Sequence, residues 1–136
     1  MVELFEQNIR TNTRQSSKGN QLKWENESIW YKADYTGYEG LAEYVISHLL
    51  KYTNLNEDEY VLYEPEQIKY KRQIYNGVRS RAFIDEDWQI ITLERLFKNV
   101  YNESLTSVLW HMSDVKERLE FLVNAIKNIT GLNNWG

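Results

Sequence analysis

The chain has 136 residues, of which 42% are hydrophobic, 26% charged and 14% aromatic. This mixture is typical of a compact globular domain and excludes a disordered chain or a membrane span. The formal net charge of -4 has the wrong sign for a dedicated nucleic-acid binder, and the absence of cysteine excludes a disulfide scaffold or a thiolate zinc site. The first residues lack the basic start and apolar stretch of an export signal, so we expect a cytoplasmic protein.

The first half of the chain predicts an arm, a hairpin and a helix, in that order. Residues 1–15 are polar and weakly patterned, which indicates an N-terminal arm, and residues 16–136 are interpreted as a single domain. Aromatic and β-branched residues at 22–24 and 28–35 predict a β-hairpin with its turn at 25–27 and Lys32 inside the second strand. From Tyr38 to Tyr52, apolar residues recur at helical spacing and predict a helix. Its apolar stripe consists of Leu41, Tyr44, Val45, His48, Leu49 and Tyr52.

The second half predicts strands followed by helices. Short strands are predicted at 60–63, 68–75 and 77–84, with turns near Pro65 and at Asn76-Gly77. Thr92 is suited to cap a helix that follows it, and a further helix is predicted between Asp114 and Gly131. The fold class is therefore α+β: an antiparallel sheet like that of a kinase N-lobe with one packed helix, followed by a mainly helical C-terminal segment.

Three features stand in an order that points to phosphate binding. They are a loop of small and polar residues at 16–21, a strand lysine at Lys32, and a helix glutamate at Glu39 or Glu43. In protein kinases a loop covers the nucleotide phosphates, a strand lysine contacts them, and a helix carboxylate holds that lysine in place. Taken separately, the same residues are also compatible with an ordinary turn, a lysine at a strand edge and a solvated helix face. The sequence has no Gly-x-Gly-x-x-Gly motif, and Lys18-Gly19 reverses the Gly-Lys order of a nucleoside-triphosphatase loop.

The stretches 16–23, 30–35 and 38–50 together resemble the N-terminal lobe of a HipA-like serine/threonine kinase. The resemblance implies that the protein binds ATP with Mg²⁺, that Lys32 contacts the phosphates, and that Glu43, with Glu39 as the alternative, orients Lys32. It also implies phosphorylation at Ser16 or Ser17. The nucleotide-binding residues implied by the resemblance are Ser16, Ser17, Lys18, Gly19, Asn20, Gln21, Lys32 and Glu43.

No catalytic or metal-ligating residue is predicted in this chain. The Asp-Arg-His type of motif that the family places in a C-terminal lobe is absent, and His48 and His111 are interpreted as packing residues. No His/Asp/Glu cluster has the spacing of metal ligands. The basic residues Lys69, Lys71 and Arg72 are interpreted as a solvated strand face rather than a nucleic-acid site.

Two functions remain open from the sequence. In the first, the chain is the ATP-binding part of a HipA-like kinase, a fragment that is inactive alone and transfers phosphate to a protein substrate only when a C-lobe completes it. In the second, it is a stand-alone, non-catalytic interaction module that binds a partner kinase or an antitoxin-like regulator. The many aromatic residues, including 5 Trp and 10 Tyr, are compatible with the second function because aromatic side chains are enriched at interfaces.

Overall fold

The computed structural model describes residues 1–10, 21–85 and 87–131. The chain folds into two compact units, residues 1–88 and 89–136, and its fold is α+β as the sequence predicts. The sequence-based boundary between residues 15 and 16 lies outside the described residues. The single domain predicted for 16–136 stays a prediction.

The first unit is built around a β-sheet with five described strands. They are β1 (Val2–Leu4), β2 (Lys23–Asn26), β3 (Ile29–Ala33), β4 (Glu64–Tyr70) and β5 (Gln73–Arg81). Their order across the sheet is β1-β4-β5-β3-β2. The β2–β3, β3–β5 and β4–β5 pairs are antiparallel, as predicted, whereas β1 pairs with β4 in parallel. The sheet is therefore mixed, because the chain start adds a strand that sequence patterning did not predict.

The described part of the predicted N-terminal arm belongs to this sheet. Leu4 on β1 is buried in the core, and a short 3₁₀ helix, Glu6–Asn8, follows it. Ion pairs join this segment to the β4–β5 hairpin: Lys69 Nζ lies 3.0 Å from Glu3 Oε1, and Lys71 Nζ lies 2.6 Å from Glu6 Oε1. Lys69 and Lys71, which the sequence analysis interpreted as part of a solvated strand face, are thus paired with the glutamates of the N-terminal segment.

The turns around β4 and β5 differ from the sequence prediction. Residues 60–63 are not a strand, and Pro65 lies inside β4 rather than in a turn. Proline is tolerated there because β1 pairs only with residues 68–70, so among the described strands Pro65 has a neighbour on one side alone, where it pairs with Val78 of β5. The hairpin turn lies at residues 71–72, where Lys71 has a positive φ of 56°, and the Asn76-Gly77 pair lies inside β5.

One face of the sheet carries the main core of the first unit. Trp24 is fully buried and packs edge-on against Tyr70, with ring centroids 5.3 Å apart. The core cluster consists of Leu4, Trp24, Tyr31, Ala33, Ile68 and Tyr70. Strand side chains alternate between faces, so Lys23, Lys32 and Val78, which share a register, lie on the opposite face.

Helix α1 (Glu39–Leu49) packs on that opposite face and confirms the predicted helix, which a 3₁₀ turn (Leu50–Tyr52) extends. Its buried residues are the small Gly40 and Ser47. A Cβ on Gly40 would lie 2.8 Å from Asp34 Oδ1 and 3.1 Å from Val78 Cγ1, so the helix approaches the sheet more closely than a larger residue would permit. The predicted apolar stripe therefore does not form the buried side: Leu41, Val45, Leu49 and Tyr52 are exposed.

The second unit contains three described helices: α2 (Leu93–Tyr101), α3 (Leu105–Trp110) and α4 (Val115–Thr130). The predicted caps are confirmed, because Thr92 Oγ1 accepts a hydrogen bond from Arg95 N, Asp114 Oδ1 accepts one from Lys116 N, and Gly131 ends α4 with a φ of 68°. Phe97, Leu105 and Ala125 form its core. Among the described residues, no helix combines the length and apolarity needed to cross a bilayer.

Candidate functional site

The candidate site is built on the face of the sheet that α1 covers in part. Lys32 lies on β3 opposite Lys23 of β2 on one side and Val78 of β5 on the other. Side chains at the same register of neighbouring strands lie on the same face. Because Val78 also lies beneath Gly40 of α1, the helix is held beside Lys32 and its next inward position, Glu43, can reach the lysine.

Lys32 and Glu43 form a close ion pair. Lys32 Nζ donates a hydrogen bond of 2.7 Å to Glu43 Oε1 and one of 3.2 Å to Tyr63 Oη. Both members of the pair are largely shielded, with 21% and 31% of their side chains exposed. Burial acts to lower the pKa of Lys32, but the hydrogen bonds and charges of Glu43 and Tyr63 outweigh it and raise that pKa above its usual range. Lys32 is therefore a fixed cation at neutral pH.

The structure separates the two glutamates that the sequence left as alternatives. Glu39 stabilises the start of α1: its carboxylate accepts hydrogen bonds from the backbone N–H groups of Thr36, Gly37 and Tyr38 at 2.8–3.2 Å. Those bonds, Thr36 first, lower the pKa of Glu39 to about 2. Glu43 is the partner of Lys32, one turn further along the helix.

A second lysine shares the site. Lys23 is buried, and this burial lowers its pKa, as does the charge of the neighbouring Lys32. The two ammonium groups lie on adjacent strands with one carboxylate, Glu43, near both. Lys23, Lys32 and Glu43 together carry more positive than negative charge, and they are partly shielded from solvent. Such a cluster favours binding of an anion.

The described residues on either side of residues 11–20, a range that includes most of the predicted phosphate loop, lie next to these lysines. Arg10 N donates a 2.9 Å hydrogen bond to Lys23 O, and Ile9 forms an antiparallel bridge with Trp24, so the chain before residue 11 runs beside β2. The chain after residue 20 leads directly into β2. The predicted site residues Ser16, Ser17, Lys18, Gly19 and Asn20 lie outside the described residues, whereas Gln21 lies within them.

Two buried polar atoms of predicted site residues have no hydrogen-bond partner within the described part of the chain. They are Glu43 Oε2 and Gln21 Nε2. Buried polar groups are nearly always paired in folded proteins, so each unpaired group needs an explanation, of which an absent ligand or water is one. A free acceptor and a free donor are therefore present among the residues that the sequence assigned to the site.

Tyr63 is a site residue that sequence analysis missed. Its position is fixed by Ser47, whose Oγ accepts a 3.1 Å hydrogen bond from Tyr63 N while donating one to Tyr44 O. The Lys32 ammonium lies 4.6 Å from the centre of the Tyr63 ring and also contacts its hydroxyl. No local pattern could have identified Tyr63, because it lies 31 residues from Lys32 and precedes a strand rather than lying in one.

The histidines take no part in this cluster. His48 Nε2 lies 3.0 Å from Glu64 Oε1, and its ring packs on Tyr44 with centroids 4.3 Å apart. His111 Nδ1 lies 2.7 Å from Ser107 O at the end of α3. Within residues 1–10, 21–85 and 87–131, no group of three or more His, Asp or Glu side chains has the arrangement of a metal site.

Comparisons with known proteins found no match to a family model, to a curated protein or to a solved structure. We therefore infer function from the geometry of the side chains at the candidate site, which are Lys23, Lys32, Glu43 and Tyr63.

Proposed function

We propose that the first unit binds the phosphates of ATP through Lys32, and that the chain is the nucleotide-binding N-lobe portion of a HipA-like serine/threonine kinase. In this proposal, phosphoryl transfer to a protein substrate requires a C-lobe with the aspartate and the metal ligands that kinase chemistry uses. Lys32 contacts the phosphates, Glu43 orients Lys32, and residues 16–21 cover the phosphates. Mg²⁺ would accompany the ATP.

The observation that carries this proposal is the ion pair between Lys32 and Glu43. The order of parts agrees with kinase architecture, in which the lysine lies on the third strand and the glutamate on the helix that follows it. Here too Lys32 lies on β3 and Glu43 on α1, the next described helix. Lys23 adds a second cation on the same face, and Arg10, the last described residue before 11–20, is hydrogen-bonded to Lys23 O.

The test is a calorimetric titration of the wild-type chain and two lysine variants with Mg-ATP. Lys32→Met removes the ammonium but keeps most of the apolar side chain, so we expect at least a tenfold loss of affinity, about 1.4 kcal/mol, without unfolding. Lys69→Met is the matched control, because it breaks another lysine–glutamate pair of the same sheet, the one with Glu3. Affinity in Lys69→Met should equal that of the wild type. Equal affinity in Lys32→Met, or no binding by the wild type, would refute the proposal.

The alternative, a non-catalytic interaction module, is favoured by exposed tryptophans. Trp88 in the first unit is 67% exposed and Trp110 in the second is 79% exposed, and tryptophan is enriched at protein interfaces. This alternative predicts that Mg-ATP leaves the melting temperature unchanged. A rise in melting temperature that the Lys32→Met variant loses would exclude it in favour of nucleotide binding.

A further inference from the structure

The side of α1 that faces away from the sheet is apolar. It carries Leu41, Val45 and Leu49, and it is flanked by Tyr38 just before α1 and Tyr52 in the 3₁₀ turn after it; we call these five residues the outward face of α1. These five side chains are between 44% and 89% exposed, and Ile46 beside them is 61% exposed. The charged residues Glu39 and Glu43 lie on other sides of the helix and are engaged in the contacts described above.

This distribution is the reverse of an ordinary surface helix, which turns its apolar side toward the core. Here the side against the sheet presents Gly40, Glu43 and Ser47, and the apolar side is left in solvent. Contiguous exposed apolar patches of several hundred Å² are uncommon on monomers and mark interaction surfaces. The inversion is imposed by the site, because only small residues permit the close approach that brings Glu43 to Lys32.

The residues of the outward face have the same identities and spacing when they are taken from either end. Its pattern is Tyr-x₂-Leu-x₃-Val-x₃-Leu-x₂-Tyr, which is symmetric about Val45. In an isologous dimer, residue i of one copy contacts residue j of the other, and j contacts i. Antiparallel pairing of two such helices places Val45 against Val45, Leu41 against Leu49 and Tyr38 against Tyr52, so leucine meets leucine and tyrosine meets tyrosine.

The helix dipoles also favour antiparallel pairing. Antiparallel helices have opposed dipoles, whereas parallel helices align their dipoles and bring the two Lys51 side chains to the same end.

The area of the outward face is sufficient for a stable pair. Residues 38–52 span about 21 Å along the helix. With the observed exposures, two tyrosines and the aliphatic residues present on the order of 700–800 Å², close to the roughly 800 Å² that each partner contributes to a standard interface.

We propose that α1 is a dimerisation helix, through which two copies of this chain associate in antiparallel register with Val45 at the two-fold axis. The proposal does not depend on nucleotide binding, since the outward face and Lys32 are on different sides of α1.

The absence of cysteine from the chain permits a direct test by single-cysteine cross-linking. Val45→Cys should form a disulfide-linked dimer on mild oxidation, because the two residues meet at the axis. Leu41→Cys alone should not, since its two copies would lie about 12 Å apart along the helices, beyond disulfide reach. An equimolar mixture of Leu41→Cys and Leu49→Cys should form the mixed dimer. Arg72→Cys, at the exposed turn between β4 and β5, is the control for random collision.

Sedimentation of the wild type and of Leu49→Glu completes the test. We expect the wild type to be a dimer at about 100 µM, because that concentration lies well above a micromolar dissociation constant. Leu49→Glu should be a monomer with unchanged circular dichroism, because Leu49 is 59% exposed and its replacement disturbs no core. A monomeric wild type at that concentration would overturn the proposal. So would a Leu49→Glu dimer, or Leu41→Cys cross-linking as efficient as that of Val45→Cys, which indicates parallel helices.

Discussion

Gly77 on β5 lies directly against the backbone of Lys32 on β3. A Cβ added at Gly77 would be 2.0 Å from Lys32 O, a distance that real Cβ atoms do not adopt, and 3.1 Å from the Cα of Ala33, which is a tight contact. The carbonyl that Gly77 accommodates belongs to the same residue whose ammonium binds Glu43. The strand spacing at the candidate site therefore depends on the absence of a side chain at position 77.

Gly77→Ala should destabilise the first unit, because β3 and β5 must separate to admit the methyl group. Overpacking of this kind costs about 1–3 kcal/mol, and we expect the upper part of that range because the obstacle is backbone. Urea unfolding followed by tryptophan fluorescence measures the change. Asn76→Ala is the matched control: Asn76 is the exposed neighbour on the same strand, and its substitution should change the free energy of unfolding by less than about 0.5 kcal/mol. A stability of Gly77→Ala equal to that of the wild type would contradict the close approach.

Gly40→Ala tests the contact between α1 and the sheet. Alanine normally stabilises a helix interior by up to about 1 kcal/mol relative to glycine. At Gly40, however, the added Cβ would press on Asp34 Oδ1, which accepts a 2.8 Å hydrogen bond from Gly40 N, and on Val78. We therefore expect a loss of stability where helix propensity predicts a gain.

Thermal unfolding distinguishes these signs for Gly40→Ala. A raised melting temperature would show that α1 does not pack as closely as described. A lowered melting temperature accompanied by weaker Mg-ATP binding would connect helix position to the Lys32–Glu43 pair, since that pair depends on the same approach.

Glu39 should give the start of α1 a measurable pH dependence. Hydrogen bonds, the one from the Thr36 backbone first, lower the pKa of Glu39 from its usual value of 4.5 to about 2. A group whose pKa is lower in the folded state contributes stability above its unfolded pKa, and loses that contribution as the pH falls toward its folded pKa. The difference in stability between the wild type and Glu39→Gln should thus be constant above about pH 5 and disappear as the pH approaches 2.

The control for this titration is Glu103→Gln, at an exposed position between α2 and α3. It measures the effect on stability of replacing an exposed glutamate that lies outside α1. A Glu39→Gln difference that stays the same from pH 7 to pH 2 would show that the carboxylate charge does not stabilise the helix start.

Local patterns predicted the parts of this fold that depend on neighbours in sequence. The helix at Tyr38–Tyr52 and the caps at Thr92, Asp114 and Gly131 follow from spacing and capping chemistry, and all were confirmed. Asn76-Gly77 was wrongly predicted as a turn, because glycine serves both tight turns and close strand approach, and only the tertiary structure distinguishes the two.

The candidate site could be predicted only in part, because its geometry depends on tertiary structure as well as on the order of residues. The order of Lys32 and Glu43 along the chain suggested their pairing, but which glutamate lies inward depends on which side of α1 meets the sheet. Periodicity shows which residues share a side of a helix and not which side is buried. Since apolar residues normally face the core, the outward position of Leu41 and Leu49 could not be deduced from the pattern. Tyr63 required the folded chain as well.

Glu43→Gln should weaken the candidate site by leaving Lys32 without its counter-ion. A hydrogen bond to a charged group contributes about 1.5–3 kcal/mol when shielded, so we expect a loss of stability near the lower end of that range for this partly exposed pair. The pKa of Lys32 should fall, because Glu43 supplies much of what raises it while burial acts to lower it. Nitrogen-15 NMR of the lysine side chains measures that pKa directly.

Two matched variants identify which groups raise the pKa of Lys32. Glu39→Gln removes a carboxylate one turn earlier on the same helix and should leave the pKa of Lys32 unchanged, since Glu39 is bound to the backbone at residues 36–38. Tyr63→Phe removes only the hydroxyl that accepts the 3.2 Å hydrogen bond from Lys32 Nζ, and should lower that pKa in the same direction as Glu43→Gln. If Glu39→Gln shifted the Lys32 pKa and Glu43→Gln did not, the assignment of the lysine's partner would be reversed. The orienting role in the proposed nucleotide site would then pass to Glu39.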